Sequence, residues 1–141
     1  MNLTRRHALG LAVGAGAATL LPLRAFAASS EAEAAIAAFT GGADVAEGGV
    51  TLTAPEIAEN GNTVPVAVEA AGATSILLLA GGNPSPGVAQ FNFGALAAAS
   101  QASTRIRLAG TQDLIAVAKM ADGSFVAAAQ TVKVTIGGCG G

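Results

Sequence analysis

The 141-residue sequence holds few of the side chains that carry out enzyme chemistry. It has no Trp and no Tyr, and its only His and only Cys are His7 and Cys139. Because His7 lies in an N-terminal segment predicted below to be removed, the mature chain has no imidazole. That excludes Ser-His-Asp chemistry, a Cys-His pair and a His-ligated zinc ion. A single Cys forms neither an internal disulfide nor a thiolate metal cage, so no cofactor or metal is expected.

Charge is also scarce, and after position 27 it is mostly negative. Charged residues make up 11% of the chain, and positions 28–141 hold four basic and nine acidic residues, a net charge of −5. No basic surface for nucleic acid is therefore expected. Alanine supplies 35 of the 73 apolar residues, so composition overstates the core. The 27 Leu, Ile, Val and Phe residues after position 27 still exceed the level of a disordered chain and suffice for one domain.

The first 27 residues have the parts of a secretory signal peptide. Arg5 and Arg6 make its first part positive, and residues 8–21 are uncharged. Ala25 and Ala27 are small residues at the two positions that a signal peptidase recognises. The uncharged stretch is shorter than the ~20 apolar residues of a membrane span. Cleavage is therefore predicted after Ala27, with no membrane attachment afterwards.

The arginine pair also resembles a twin-arginine export signal. The modest hydrophobicity of the leader and the position of Arg24 near the cleavage site favour that route, while Ala8 and Gly10 depart from its usual pattern. A general secretory signal is the alternative. The predicted destination is the bacterial periplasm, which is an oxidising compartment. The twin-arginine route carries proteins that have already folded.

One helix is predicted near the start of the mature chain, over about residues 30–40. Ser30 and Glu33 have the spacing of a capping box, with Ser30 as the N-cap. Ile36 and Phe39 then fall on one face, and the glycine pair at 41–42 ends the helix. The helix is interpreted as a docking element without chemistry of its own.

After residue 50 the pattern changes to strands separated by turns. About seven short strands are predicted with no helices between them, which favours an all-β, immunoglobulin-like antiparallel sandwich. Pro65 predicts an edge position for its strand. The residues 95–102 are predicted to form a loop. Strand-like segments lie around Ile57 and at 50–53, 64–68, 75–80, 88–93, 104–108, 113–120 and 126–136.

The last five residues, Gly137-Gly138-Cys139-Gly140-Gly141, are the most informative part of the sequence. Glycine is the most conformationally free residue, so four glycines around Cys139 disfavour local order and leave no side chain to bury the thiol. A lone Cys is usually a small buried apolar residue, and that interpretation fails here. The tail is instead predicted to form a thin arm that carries a thiol.

The sequence gives this thiol no means of activation. A free thiol has a pKa of about 8.5, and no Lys, Arg or His lies within several residues of Cys139. Activation must therefore come from another protein, which favours a covalent carrier presented to several enzymes. Two other classes remain open: an interaction module whose Cys forms only intermolecular disulfides, and a thiol enzyme. The thiol enzyme is disfavoured because the chain has no second Cys and no base.

Several stretches of the chain resemble one known family, the SoxY subunits of the Sox sulfur-oxidation system. The specific part is the GGCGG terminus directly after the stretch VKVTI, and the resemblance extends over residues 1–141. Other matching stretches are IAENG at 57–61 followed by VPV at 64–66, FNF at 91–93, RIRLA at 105–109 and AKMADG at 118–123.

The resemblance implies a carrier that is not itself an enzyme. Residues 28–136 would form the carrier domain and 137–141 a swinging arm, in which Gly137, Gly138, Gly140 and Gly141 flank the attachment site, Cys139. The implied partners are the SoxZ subunit, in a heterodimer, and transiently enzymes of the SoxAX, SoxB and SoxCD types.

In this scheme a c-type haem enzyme joins thiosulfate to Cys139 oxidatively. Sulfate is hydrolysed off, the remaining sulfane sulfur is oxidised, and a second hydrolysis regenerates the thiol. A disulfide-linked dimer through Cys139 is a further expectation. Arg105 and Arg107 are candidates to bind an anion, although a solvated or interface role is the stronger interpretation for them.

The leader gives the first testable prediction. The mature protein should begin at Ala28, because Ala25 and Ala27 occupy the positions that the peptidase reads. N-terminal sequencing of periplasmic protein checks this, and a start before Arg24 would contradict it. Replacing Arg5 and Arg6 by Lys should block export, whereas an unchanged periplasmic yield would indicate the general secretory route.

Overall fold

The computed structural model describes residues 29–137, which contain one helix and nine strands. The predicted signal peptide, with Arg5, Arg6 and Ala27, lies outside the described residues. The elements are α1 (Ser30–Thr40), β1 (Val45–Glu47), β2 (Thr51–Thr53), β3 (Ile57–Asn60), β4 (Val64–Glu69), β5 (Ala73–Ala80), β6 (Gly87–Asn92), β7 (Gln101–Ile106), β8 (Gln112–Met120) and β9 (Phe125–Ile136).

Helix α1 has the predicted extent, but its cap is one residue earlier than predicted. Ser29, not Ser30, is the N-cap, and its hydroxyl accepts a hydrogen bond from the Ala32 amide at 3.3 Å. Both serines can cap, and the sequence alone does not separate them. Gly41 ends the helix with φ 65°, a left-handed conformation that favours glycine. No helix within residues 29–137 is long and apolar enough to cross a membrane.

The strands form two sheets, which confirms the predicted all-β sandwich. The larger sheet has the order β1-β9-β8-β5-β6, with β3 also paired to β9, and the smaller has the order β2-β4-β7. Pro65 does not mark an edge strand, because β4 lies in the middle of the smaller sheet. However, β2 ends opposite Ala67, so at Pro65 β4 is paired only with β7. The side of β4 left unpaired there tolerates the absence of a backbone N–H in proline.

Two pairings depart from the antiparallel prediction. Strands β1 and β3 both pair with β9 in parallel, with Val45 opposite Phe125 and Ala58 opposite Val134. The prediction assumed that the chain was too short for crossover connections. The assumption was wrong because the intervening strands themselves form the connection that a parallel pair requires. The three-residue β1 was also too short for its sequence pattern to reveal.

Apolar residues are buried on both faces of β5 and β8. On the inner face, Ile76, Leu78 and Leu114 pack in the core between the two sheets. On the outer face, Leu79 and Ile115 pack in a second cluster that α1 covers. Two covered faces explain why β5 has a continuous apolar run instead of alternation. In the second cluster, the rings of Phe39 and Phe125 meet edge to face at 5.8 Å.

The hairpin between β8 and β9 turns at Asp122-Gly123, a residue pair whose sequence predicts a hairpin turn. Gly123 has φ 86°, which favours glycine. The hydroxyl and the amide of Ser124 both donate hydrogen bonds to the Asp122 carboxylate. These bonds favour the ionised form and lower the pKa of Asp122 below its usual value, the hydroxyl bond contributing most. The turn thus fixes the register of the two longest strands.

Two leucines test the assignment of the core. Leu78 is completely buried and Leu96 is completely exposed. Replacing Leu78 by Ala should lower the free energy of unfolding by about 2–5 kcal/mol, because it removes buried methyl groups and leaves a cavity. Leu96→Ala is the matched control and should change it by no more than about 0.5 kcal/mol. Chemical denaturation measures both free energies of unfolding. Equal changes for the two variants would contradict the assignment of Leu78 to the core.

Candidate functional site

The predicted attachment site follows directly from the end of β9. Gly138, Cys139, Gly140 and Gly141 lie outside the described residues, so Gly137 is the part of the predicted arm that the structure describes. The surroundings of Gly137 therefore describe the last residue that precedes the segment containing Cys139.

The last four residues of β9 have a different partner from the rest of the strand. Pairing with β8 ends where Gln112 meets Val132, and residues 133–136 pair with β3 instead. The Val134 amide also donates to the Thr111 hydroxyl oxygen at 2.9 Å. Together, these contacts keep β9 extended up to its last residue.

A clamp of three residues then holds the end of the strand. The Gly61 amide donates to the Ile136 carbonyl oxygen at 2.7 Å, and the Leu108 amide donates to the Gly61 carbonyl oxygen at 2.8 Å. The Ala109 carbonyl oxygen lies so close to Gly137 that a Cβ added there would overlap it. We call Gly61, Leu108 and Ala109 the terminal clamp.

Two buried amide side chains hold the loop that carries Leu108 and Ala109. The Asn83 side chain donates to the Arg107 carbonyl oxygen at 2.8 Å and accepts from the Ala109 amide at 2.9 Å. Gln112 donates to the Asn83 side-chain oxygen at 2.8 Å and to the Gly110 carbonyl oxygen at 3.0 Å. Asn83 is 5% exposed and Gln112 is 7% exposed. Buried amides whose nitrogen and oxygen atoms all have hydrogen-bond partners hold a loop in one conformation.

A glycine makes room for this pair. The Gly82 amide donates to the Gln112 side-chain oxygen at 2.9 Å, and a Cβ added at Gly82 would lie 2.9 Å from the Gln112 Cβ. Every buried side-chain polar atom within residues 29–137 has a hydrogen-bond partner. We call Asn83 and Gln112 the amide support. Residues 81–87 are rich in glycine and proline, which predicts a loop but gives no sign of this role.

The clamp and its support have little chemical reactivity of their own. They consist of backbone groups and two neutral carboxamides, none of which titrates near neutral pH. Within residues 29–137 no group of three or more His, Cys, Asp or Glu side chains could hold a metal ion. The arrangement can orient a chain, but it offers no general base for a thiol.

The two candidate arginines lie in different elements of the fold, one in a strand and the other in the loop that follows it. Arg105 is exposed on β7, opposite Pro65, and lines a shallow groove of about 710 Å³ on the smaller sheet. Arg107 is also exposed, but it lies beyond the end of β7, in the loop whose backbone the amide support holds. The strand predicted over 104–108 therefore ends earlier than predicted, at Ile106, which leaves Arg107 outside it.

Comparison with known proteins identifies the family. The sequence profile of the family described as sulfur oxidation protein SoxY matches residues 36–139, which include the end of β9 and Cys139. The chain belongs to the SoxY family. No curated protein matches the chain significantly.

A solved SoxY structure is similar over most of the chain. The sulfur carrier protein SoxY from Chlorobium limicola f thiosulfatophilum has 39% sequence identity and a TM-score of 0.67, over 76% of this chain and 98% of that one. This SoxY protein therefore shares the fold of the Chlorobium carrier.

Superoxide reductases are structurally similar at much lower identity. The superoxide reductase (neelaredoxin) from Ignicoccus hospitalis has 17% identity and a TM-score of 0.54, over 62% of this chain and 80% of that one. A superoxide reductase described as putative, from Thermotoga maritima, has 16% identity and a TM-score of 0.52, over 68% of this chain and 89% of that one. Identities this low show a shared sandwich fold and nothing about activity.

Proposed function

We propose that this SoxY protein is a periplasmic sulfur carrier that holds thiosulfate-derived intermediates covalently on Cys139. The observation that carries the proposal is the family match over residues 36–139, which reaches the single Cys of the chain. The Chlorobium relative, described as a sulfur carrier protein, supports the same role. The predicted signal peptide supports the location.

The proposed cycle begins with an oxidation. A c-type haem enzyme removes two electrons as the Cys139 thiol and thiosulfate join, and one proton is released. The product is a Cys–S–S–SO₃⁻ thiosulfonate. Water then attacks the sulfonate sulfur, the S–S bond to it breaks, and sulfate leaves with a proton. Cys139 retains the sulfane sulfur as a persulfide.

The second half of the cycle also consists of an oxidation followed by a hydrolysis. A partner enzyme removes six electrons from the persulfide, and three water molecules supply oxygen to form Cys–S–SO₃⁻ with release of seven protons. A second hydrolysis breaks the bond between the Cys139 sulfur and the sulfonate sulfur. Sulfate and a proton leave, and the thiol is regenerated.

The composition of the site supports a carrier and not an enzyme. The terminal clamp and amide support contain no group that lowers the pKa of a nearby thiol or accepts its proton. Because a free thiol has a pKa of about 8.5, little thiolate is present at neutral pH. The proposal therefore places activation in the active sites of the SoxAX, SoxB and SoxCD types of enzyme, with SoxZ as the stable partner.

Mass spectrometry tests the attachment site. The reduced mature protein, incubated with thiosulfate and the c-type haem enzyme, should gain the mass of a thiosulfonate adduct on Cys139. Cys139→Ser should gain none, because a hydroxyl does not undergo this redox step. Disulfide dimers without an adduct would favour the interaction module, and thiosulfate turnover by the protein alone would favour a thiol enzyme.

A second variant tests the arm separately from the thiol. Gly138→Val should leave the melting temperature unchanged, because residue 138 follows the last strand. It should slow the formation of the adduct, since a β-branched side chain restricts the backbone and thickens a segment that must enter enzyme active sites. Adduct formation at the wild-type rate would show that the glycines have no role in delivery.

A further inference from the structure

We propose that Gly137 is the last residue held by the folded domain, which we call the pivot, and that Asn83 and Gln112 are positioning residues that hold it through the terminal clamp. The inference rests on the proposed carrier function. A five-residue GGCGG arm would otherwise be taken to swing from the end of β9, with Gly137 as its first free joint. The surroundings of Gly137, which is exposed but lies against the Ala109 backbone, indicate that the folded domain holds this residue.

The first step of the argument concerns the residue next to Gly137. The Ile136 carbonyl oxygen accepts a 2.7 Å hydrogen bond from the Gly61 amide. This bond fixes the peptide unit that leads into Gly137. Because Gly61 is itself bonded to Leu108, the end of β9 is tied to the loop that continues to Ala109.

The second step concerns the space around Gly137. A Cβ there would overlap a backbone oxygen, that of Ala109, and would lie 3.1 Å from the carbonyl carbon behind it. Backbone atoms cannot rotate away as the end of a long side chain can. Any residue other than glycine must therefore displace either the loop or the end of the strand. Glycine is required at 137 for close approach and not for freedom of rotation.

The third step concerns what prevents the loop from yielding. Asn83 bonds the backbone on both sides of Leu108, at the Arg107 carbonyl and the Ala109 amide. Gln112 adds a bond to the Gly110 carbonyl and a bond to Asn83 itself. These bonds are mostly shielded from water, so each lost partner leaves a buried polar group unsatisfied. The amide support therefore makes the clamp rigid.

The consequence concerns the stretch of chain between Gly137 and Cys139, which we call the tether. It is short, and it begins at a residue that the folded domain holds. With Gly137 held, only Gly138 lies between a fixed residue and Cys139, so the Cys139 Cα stays within about 7 Å of the Gly137 Cα. A partner enzyme that docks on the folded domain then meets the thiol in a small volume beside the clamp. Release of the clamp would lengthen the tether and dilute the thiol at the enzyme site.

Gly137→Ala tests the pivot directly, with Gly94→Ala as the matched control. A Cβ at Gly94 meets nothing within 4 Å. In the mature chain with a nitroxide label on Cys139, Gly137→Ala should lower the melting temperature and narrow the electron paramagnetic resonance lines as the label gains mobility. Gly94→Ala should change neither. Wild-type spectra and melting for Gly137→Ala would overturn the inference.

Asn83→Ala tests the support at a distance from the arm, with the exposed Asn62→Ala as its control. In unlabelled protein, the kcat of adduct formation by the haem enzyme should fall about tenfold for Asn83→Ala, because misplacement of a reacting group costs rate. The KM for the carrier and the rate of alkylation of Cys139 by iodoacetamide should not change. A variant that melts lower but keeps the wild-type kcat would show that Asn83 is only structural.

The two sets of measurements separate this inference from the carrier function. The label experiment needs no enzyme, so it tests the pivot even if no adduct forms. A wild-type protein that acquires no mass from thiosulfate and the haem enzyme would refute the carrier function. Normal adduct formation by both Gly137→Ala and Asn83→Ala, with unchanged label mobility, would refute the pivot alone.

Discussion

The change of partner along β9 is the constraint on which the rest of the structure depends. The first eight residues of the strand pair with β8, and the last four pair with β3. The first part closes the larger sheet over the core. The second part extends past the end of that pairing and brings Gly137 to the loop at 107–110. One continuous strand thus joins the stable centre of the domain to the point where the thiol-bearing segment begins.

Local sequence patterns predicted the parts of the fold that depend on neighbours in the chain. The helix, the Asp122-Gly123 hairpin and the alternating strands each have a short-range signal, and the structure contains all of them. The parallel pairing of β1 and β3 with β9 has no such signal, because the partners are far apart in the sequence. The helix cap was misplaced by one residue because two adjacent serines compete for it.

The candidate site also has one part that the local sequence reveals and another part that it does not. Glycines around a lone Cys single out the terminus as the candidate site from sequence alone, and the family match includes that Cys. The amide support could not be found in this way. Asn83 sits in a stretch of glycines and prolines that is typical of a turn, and Gln112 is 29 residues away. Only the folded chain shows that the two side chains share a hydrogen bond and hold the same loop. Nothing in the local pattern distinguishes Gly137 from the glycines that follow it.

The position of β9 also has a consequence for how the protein is made. It is the last strand of the described chain, yet in the larger sheet it lies between β1 and β8 and also pairs with β3. Until Phe125–Ile136 has been synthesised, β1 and β3 have no partner and one face of the core stays open. Long-range pairing of this kind forms slowly. A chain truncated before β9 would therefore expose unpaired strand edges and apolar surface, and would be a target for aggregation and proteolysis.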